Sequence, residues 1–226
     1  MADHGAGNMI NWFGGGTSND KPAPIERGPL SVGLGGALDI DFLSLEADAL
    51  GGESSMALPR SGALIVAAYG QVRLDAATTL SRYYDDQHNM VQVISASGQP
   101  GDAVQDVTYY QPWDSVVPAG PGEWARWKGQ NGLLGQPHYD ADGILFQRFW
   151  GEGSDRAEPV QFVEKVDDGE RVRTIHQTCM LYYRPLGSTR EMLLINIERD
   201  LEQQRAGGSV EFLLGYGLGA ADVRRV

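Results

Sequence analysis

A mainly β fold, or an α+β fold with few short helices, built on antiparallel sheets, is the architecture this chain predicts. Three observations predict it. Apolar and polar residues alternate in about eight segments, the period that sends successive side chains to opposite faces of a strand. Most connections between those segments are short enough to join antiparallel neighbours. Helical periodicity is scarce, and no glycine-rich fingerprint opens a long helix, so no Rossmann-type domain is expected.

Residues 1–28 read as a flexible N-terminal tail. Gly5, Gly7, Gly14-Gly15-Gly16, Thr17-Ser18-Asn19-Asp20 and Pro22-Ala23-Pro24 offer little to a core. Inside the tail, Met9-Ile10-Asn11-Trp12-Phe13 is apolar and aromatic. Trp12 and Phe13 are candidates for a short docking segment, weighed against an accidental cluster in a floppy arm. Residues 29–226 then form a single β-rich domain, or two tightly packed halves. The seam would fall near 99–121, where Gly, Pro and Asp concentrate.

Along that domain, Leu64, Val66, Ala68, Val72 and Leu74 alternate with Ile65, Tyr69, Gln71 and Arg73, with Gly70 placed as a bulge or bend. Segments 79–84 and 90–95 flank Asp85-Asp86-Gln87-His88-Asn89, a polar insert of hairpin length. Ile144, Phe146, Arg148 and Trp150 alternate with their neighbours. Segments 159–166 and 171–183 enclose Asp167-Asp168-Gly169-Glu170, the clearest hairpin signal in the chain. Further strands cover 192–198 and 210–218. Residues 122–130, with Trp124 and Trp127 three apart, fit a short helix or an indole-packed loop. Residues 41–50 fit neither period cleanly, and 201–205 could make one helical turn.

Charge and composition bound the function. Lys and Arg number 18 against 30 Asp and Glu, a net charge of −12, which argues against broad contact with nucleic acid or anionic lipid. The longest strongly apolar run, 63–68, is far below the about 20 residues that span a bilayer, so no transmembrane segment is expected. No charged and then apolar leader opens the chain, which points to a cytoplasmic protein. A single cysteine, Cys179, forbids an internal disulfide and a multi-cysteine zinc site, and its apolar flanks predict a buried, inert thiol.

Chemical signatures are mostly absent. Gly33-Leu34-Gly35-Gly36 and Gly215-Tyr216-Gly217-Leu218-Gly219 lack the spacing and the following helix of a dinucleotide loop, and no Walker motif exists among three lysines, Lys21, Lys128 and Lys165. His138 to Gly143 mimics the start of a calcium loop, but Phe149 stands where the bidentate glutamate belongs, so a turn is the better reading. Asp85, Asp86 and His88 form a small cluster that could hold a divalent ion, or a solvated hairpin tip. His176 and Cys179 sit three apart on a strand and face opposite ways, so they form no dyad. No nucleophile elbow appears. No catalytic residue, cofactor or metal is therefore predicted. The aromatic concentration at Trp124 and Trp127, beside Arg126, could line a groove for a peptide or small molecule, with Arg148 as a second cation; core packing is the alternative.

The stretch Gly28-Pro-Leu-Ser-Val-Gly-Leu-Gly-Gly-Ala-Leu-Asp-Ile-Asp41 resembles the opening of the YjfK-like family of bacterial proteins. Similar to that family too are Asp142-Gly-Ile-Leu-Phe-Gln-Arg-Phe-Trp150, Glu158-Pro-Val-Gln-Phe-Val-Glu164, His176-Gln-Thr-Cys-Met-Leu-Tyr-Tyr-Arg184 and Glu191-Met-Leu-Leu-Ile195. The resemblance covers about residues 28–226 and rests on core and turn patterns. It implies no particular activity, but it implies a setting beside PspA-like membrane-remodelling proteins. The expectation is a non-enzymatic accessory or adaptor of an envelope-stress system. It would bind a protein partner, one associated with the inner membrane included, and bind no nucleic acid. The alternative is a small-ligand-binding β domain, or an enzyme, with a Trp/Arg-lined pocket. Oligomeric state is left open.

Overall fold

Strand alternation becomes pairing through most of the chain, which a computed structural model describes over residues 25–151, 153, 155–202 and 208–226. The elements run β1 (Ala37–Ile40), α1 (Leu43–Asp48), β2 (Gly62–Ile65), β3 (Ala68–Arg73), β4 (Thr79–Tyr84), β5 (Met90–Ser95), β6 (Asp106–Val116), α2 (Pro121–Lys128) and β7 (His138–Ala141). They continue through β8 (Ile144–Arg148), β9 (Val160–Asp167), β10 (Val172–Leu186), β11 (Thr189–Asp200), β12 (Ser209–Leu218) and, after a 3-10 turn, β13 (Val223–Arg225). The fold is mainly β and antiparallel, as the alternation predicts.

Eight strands close on themselves. The order β11-β12-β6-β5-β4-β3-β9-β10 is completed by pairing of β10 with β11, giving an eight-stranded antiparallel barrel. Strand β10 is long enough to have two neighbours on one edge. Its first half pairs with β9, and Tyr182 and Tyr183 further on pair with β8, which carries β7 outward. A separate three-stranded sheet, β13-β1-β2, packs outside.

Several details correct the sequence reading. Residues 64–74 are two strands in different sheets, β2 and β3, and the break falls at Val66-Ala67 rather than at Gly70. The region near 99–121 is crossed by β6, which pairs with β5 and β12 inside the barrel. Its Pro112 is tolerated where the register with β12 shifts between Phe212 and Leu213, a bulge that removes one ladder position. Residues 41–50 resolve as the short helix α1, and 122–130 as α2 with proline at its start. Asp168-Gly169 is the expected hairpin turn, with Val172 opposite Asp167. Trp12 and Phe13, and most of 201–205, lie outside the described residues.

Register fixes which face is inside. Gly70, Arg82, Gln92, Thr108 and Gly217 are successive cross-strand partners, so they share one face, as do Phe162, Gln177 and Glu198. Arg82 lies at the centre, 3% exposed, and faces Glu164, 0% exposed, at 2.9 Å. Its Nε donates to Gln92 at 2.9 Å and its Nη1 also donates to Gln177 at 2.7 Å. Glu164 accepts further hydrogen bonds from the Tyr84 hydroxyl at 2.8 Å and from the Gln177 amide. The guanidinium also stands 5.2 Å from the Phe162 ring centroid. Gly70 is inside this network: a Cβ there would collide with the Glu164 carboxylate, so the glycine makes room and does not bend the strand.

The larger apolar surface faces out. Tyr69, Tyr83, Val91, Val93, Val107, Tyr109 and Tyr216 form one core with Leu38, Ile40 and Phe42, beneath the small sheet and α1. Met180, Tyr182, Leu193, Ile195, Val210 and Phe212 form a second with Trp127, Phe146 and Leu134, beneath α2 and the β7–β8 hairpin. A third and smaller cluster, Met90, Tyr110, Cys179 and Leu194, sits inside the barrel. Most barrel strands are thus covered on one face and filled on the other; β9 is the exception, with Gln161, Val163 and Lys165 exposed on its outer face.

Two outcomes follow from the interior. Arg82→Met strands a buried carboxylate and lowers stability by about 3–5 kcal/mol. Combining it with Glu164→Gln removes the stranded charge and recovers at least half of that loss, as read by urea denaturation; a double variant no more stable than the single one would refute the pairing. Cys179 is 5% exposed, and burial pushes its thiol up to about 11 against the opposing pull of Arg82. Its reaction with a thiol reagent in the native protein is therefore about a hundredfold slower than in denaturant.

Candidate functional site

Cavities of the described chain lie both at the margins of the covering elements and at the barrel mouths. One of about 640 Å³ opens between α2, β6, β12 and the β7–β8 hairpin. Trp113, Trp127, Leu133, Tyr139 and Phe212 supply its apolar lining, and Arg126 is its one cation. Asp114, Glu123, Asp140 and Asp142 stand around it. Local sequence explains the placement. Pro121 starts α2 and Glu123 accepts a hydrogen bond from the Ala119 amide at 2.7 Å, fixing the first turn. Trp127 and Arg126 then follow on the groove side. Trp127 packs edge-on against Phe212 at 5.6 Å, and Tyr139 stands 6.0 Å from the same ring.

Burial, and then the Tyr182 hydroxyl, push the Tyr139 phenol up to about 12 despite Arg126, so it stays protonated as a hydrogen-bond donor. Trp113 is half-buried, with its ring 6.3 Å from Phe146, while Arg126 and the four carboxylates are exposed. The groove therefore has an aromatic floor and a rim of net charge −3, counting four carboxylates and one guanidinium.

Of the candidates read from sequence, Arg126 and Trp127 line this groove. Trp124 does not; its ring lies beneath the Lys128 ammonium at 4.7 Å on α2. Arg148 is also elsewhere. It is 8% exposed and donates to the carbonyls of Gly135 at 2.6 Å, Asp155 at 2.7 Å and Gly151 at 2.9 Å, which folds the loop after β8. Both of its Nη nitrogens are committed to backbone carbonyls. Trp113 and Tyr139 were missed. The signal for Tyr139 lay in Asp142-Gly143, whose positive φ values of 52° and 89° make a two-residue hairpin turn and bring β7 back beside β8.

Asp85, Asp86 and His88 stand at one mouth of the barrel, beside a cavity of about 300 Å³ that also reaches Glu164, Asp168, Arg173 and Glu198. No group of three or more metal-binding side chains occurs among the described residues. Asp85 is occupied with its own turn, accepting from the Gln87 and Asn89 amides at 2.9 and 2.8 Å and from the Asn89 side chain at 2.8 Å. Deeper in, Glu198 adds a second carboxylate near Glu164. Burial, then Glu164 and Glu211, raise its carboxyl to about 7, and Asn196 donates to it at 2.7 Å. The Asn196 side-chain oxygen Oδ1, buried in the same strand, has no hydrogen-bond partner. The sequence signal for this site was a run of polar residues at inward strand positions, Arg82, Glu164, Gln177, Asn196 and Glu198, which strand periodicity alone does not single out.

No solved structure matches the chain significantly. "Uncharacterized protein YjfK" of Escherichia coli (strain K12) is 27% identical over 204 residues, covering 89% of this chain and 90% of that protein. A family described as "Protein of unknown function (DUF2491)" matches residues 9–224, which takes in Met9 to Phe13 as well as every described element up to β13. The groove, the barrel mouth and the tail cluster thus all fall within the matched span, and the chain belongs to the DUF2491 family.

Proposed function

We propose that the protein is a non-enzymatic adaptor that holds a basic segment of a partner protein in the groove between α2, β6 and the β7–β8 hairpin. One observation carries this reading: a single open groove combines an aromatic floor with four carboxylates at its rim. Lysine and arginine fit both halves at once. Their alkyl stems cover indole and phenol faces while their charged heads reach the acids. Acids placed at the rim speed encounter with a basic partner, and the rings supply the desolvated contact. The family resemblance makes a PspA-like membrane-associated protein the first partner to try, with the protein itself on the cytoplasmic side.

The indoles report on occupancy. Adding the PspA-like partner, or basic peptides tiled from it, shifts the emission of Trp113 and Trp127. Asp140→Asn with Asp142→Asn weakens binding by about tenfold at low salt and flattens its salt dependence. Trp113→Ala weakens it at every salt concentration. Unchanged affinity in both variants would overturn the groove reading.

A second reading, a small-ligand-binding barrel, is favoured by Glu198. Arg82 neutralises Glu164, so the Glu198 carboxylate is surplus charge beside an unmet Asn196 oxygen, the setting of a small ammonium or amidine ligand. Because its folded value of about 7 lies above the ordinary glutamate range, the folded chain keeps a proton that the unfolded chain has released between those two values. Stability therefore falls as pH rises through that window. Glu198→Gln removes the loss, gaining about 1–3 kcal/mol on the wild type at about pH 8 and nothing near pH 4. On this reading a small amine raises the melting temperature of the wild type above neutrality and leaves the variant unmoved.

A further inference from the structure

In a chain of net charge −12, four cationic or protonatable side chains converge on one cavity. On the outer face of the barrel His176 of β10 lies opposite Arg199 of β11. Lys128 arrives from the last turn of α2, and Arg156 from the segment before β9. Leu134 and Ile197 back the cavity, whose volume is about 320 Å³. It shares no lining residue with the aromatic groove.

Neutralising charge is short here. Glu158, the one carboxylate on the lining, is 88% exposed and pairs with Arg156 at 3.3 Å. Among the described residues no salt bridge joins Lys128, His176 or Arg199 to an acid. The remaining groups facing His176 are therefore Lys128 from α2, Arg199 from β11, and the Arg156–Glu158 pair from the segment before β9. Their mutual repulsion registers in the titration. Burial, then Arg199 and Lys128, hold the His176 ring below its ordinary value, and burial and Arg199 hold the Lys128 amine below its own.

We propose that this cavity binds a phosphoryl group, held by Lys128, Arg199 and the ring of His176. The donor set decides the class. Arginine presents a planar fork to phosphate oxygens, lysine a point charge, and a protonated imidazole a directed N–H. A dianion meets all three and removes the repulsion among them, whereas chloride or a single carboxylate meets fewer. The volume admits a small phosphorylated metabolite or a lipid headgroup, with Leu134 and Ile197 against its carbon part. Binding here is independent of what the aromatic groove holds.

The test uses the full chain and two sources of the same chemistry. Inorganic phosphate is titrated against the His176 ring resonances, with sodium chloride at matched ionic strength as reference. Phosphate is expected to raise the His176 titration midpoint well above its chloride value, because a bound dianion favours imidazolium. Arg199→Gln and Lys128→Gln, both at exposed positions, each weaken the effect by about fivefold or more while leaving the circular dichroism unchanged. Vesicles of phosphatidylglycerol and of phosphatidylcholine form the second arm. Retention on the first alone, lost in Arg199→Gln and competed by phosphate, assigns the group to a lipid headgroup; phosphate binding without retention assigns it to a soluble ligand. No phosphate-specific shift and no retention, or a shift indifferent to both substitutions, overturns the site.

Discussion

The Arg82–Glu164 pair is the constraint on which the barrel depends. An eight-stranded barrel has an interior about wide enough to be filled by its own side chains. Here a guanidinium and a carboxylate meet in the middle, both essentially inaccessible to water. Burial pulls the Arg82 guanidinium down, and the Glu164 carboxylate offsets that pull and keeps it charged. Such a pair is tolerable only with its other polar atoms satisfied, and Gln92 and Gln177 satisfy them from two further strands, with Tyr84 from Arg82's own strand. Four strands are thereby tied to one point, and Gly70 leaves the space for it. The same plug divides the lumen, so any ligand in the barrel is confined to a mouth.

Filling the barrel with polar groups shifts the hydrophobic work to its outside. Tyr83, Tyr182 and Tyr216 are fully buried although they point away from the lumen. Their cover is built from the remaining elements: the β13-β1-β2 sheet and α1 on one side, α2 and the β7–β8 hairpin on the other. Hydrogen bonds secure these covers at their edges. Tyr83 donates to the Arg27 carbonyl at 3.0 Å and accepts from the Leu30 amide at 3.2 Å, docking the start of the described chain. Buried Glu191 takes Arg184 at 2.8 Å, the Ser55 amide at 2.9 Å and the Tyr216 hydroxyl at 3.0 Å, which fastens the segment after α1.

Much of this was legible as strands and little of it as faces. Segments 79–84 and 90–95 match β4 and β5 because clean alternation and an acidic turn agree there, and Asp168-Gly169 marks the β9–β10 hairpin for the same reason. Strand β6 was hidden by Pro112 and by flanking Gly and Asp, since the bulge that accommodates the proline, with Trp113 as the extra residue, shows only in the register against β12. Gly70 misled in the opposite direction: its spacing suggests a bend, while its reason, the Glu164 carboxylate, lies 94 positions away (164 − 70). Period-2 alternation also cannot say which face is the inside of a closed sheet. Arg126 and Trp127 were legible as groove residues because indoles beside a cation are a local pattern. Trp113, Tyr139 and the interior acids meet only through long-range register.

The position of the two outer cavities follows from this inverted barrel. A cover made of two helices and short strands cannot tile a curved surface completely, so its margins leave recesses floored by outward-facing barrel residues: Phe212 under the groove, Ile197 under the basic cavity. Floors of that kind are rigid, because each residue belongs to a strand paired on both sides. The rims are the ends of α2 and the loops beside it, where side-chain identity is free of the core. Acids gather at the groove and cations at the neighbouring recess, on surfaces with no residue in common. Charges of opposite sign on separate margins of one helix would annihilate each other's field if they shared a rim. Kept apart, they give one barrel two faces with opposite electrostatic preference, each backed by apolar contact.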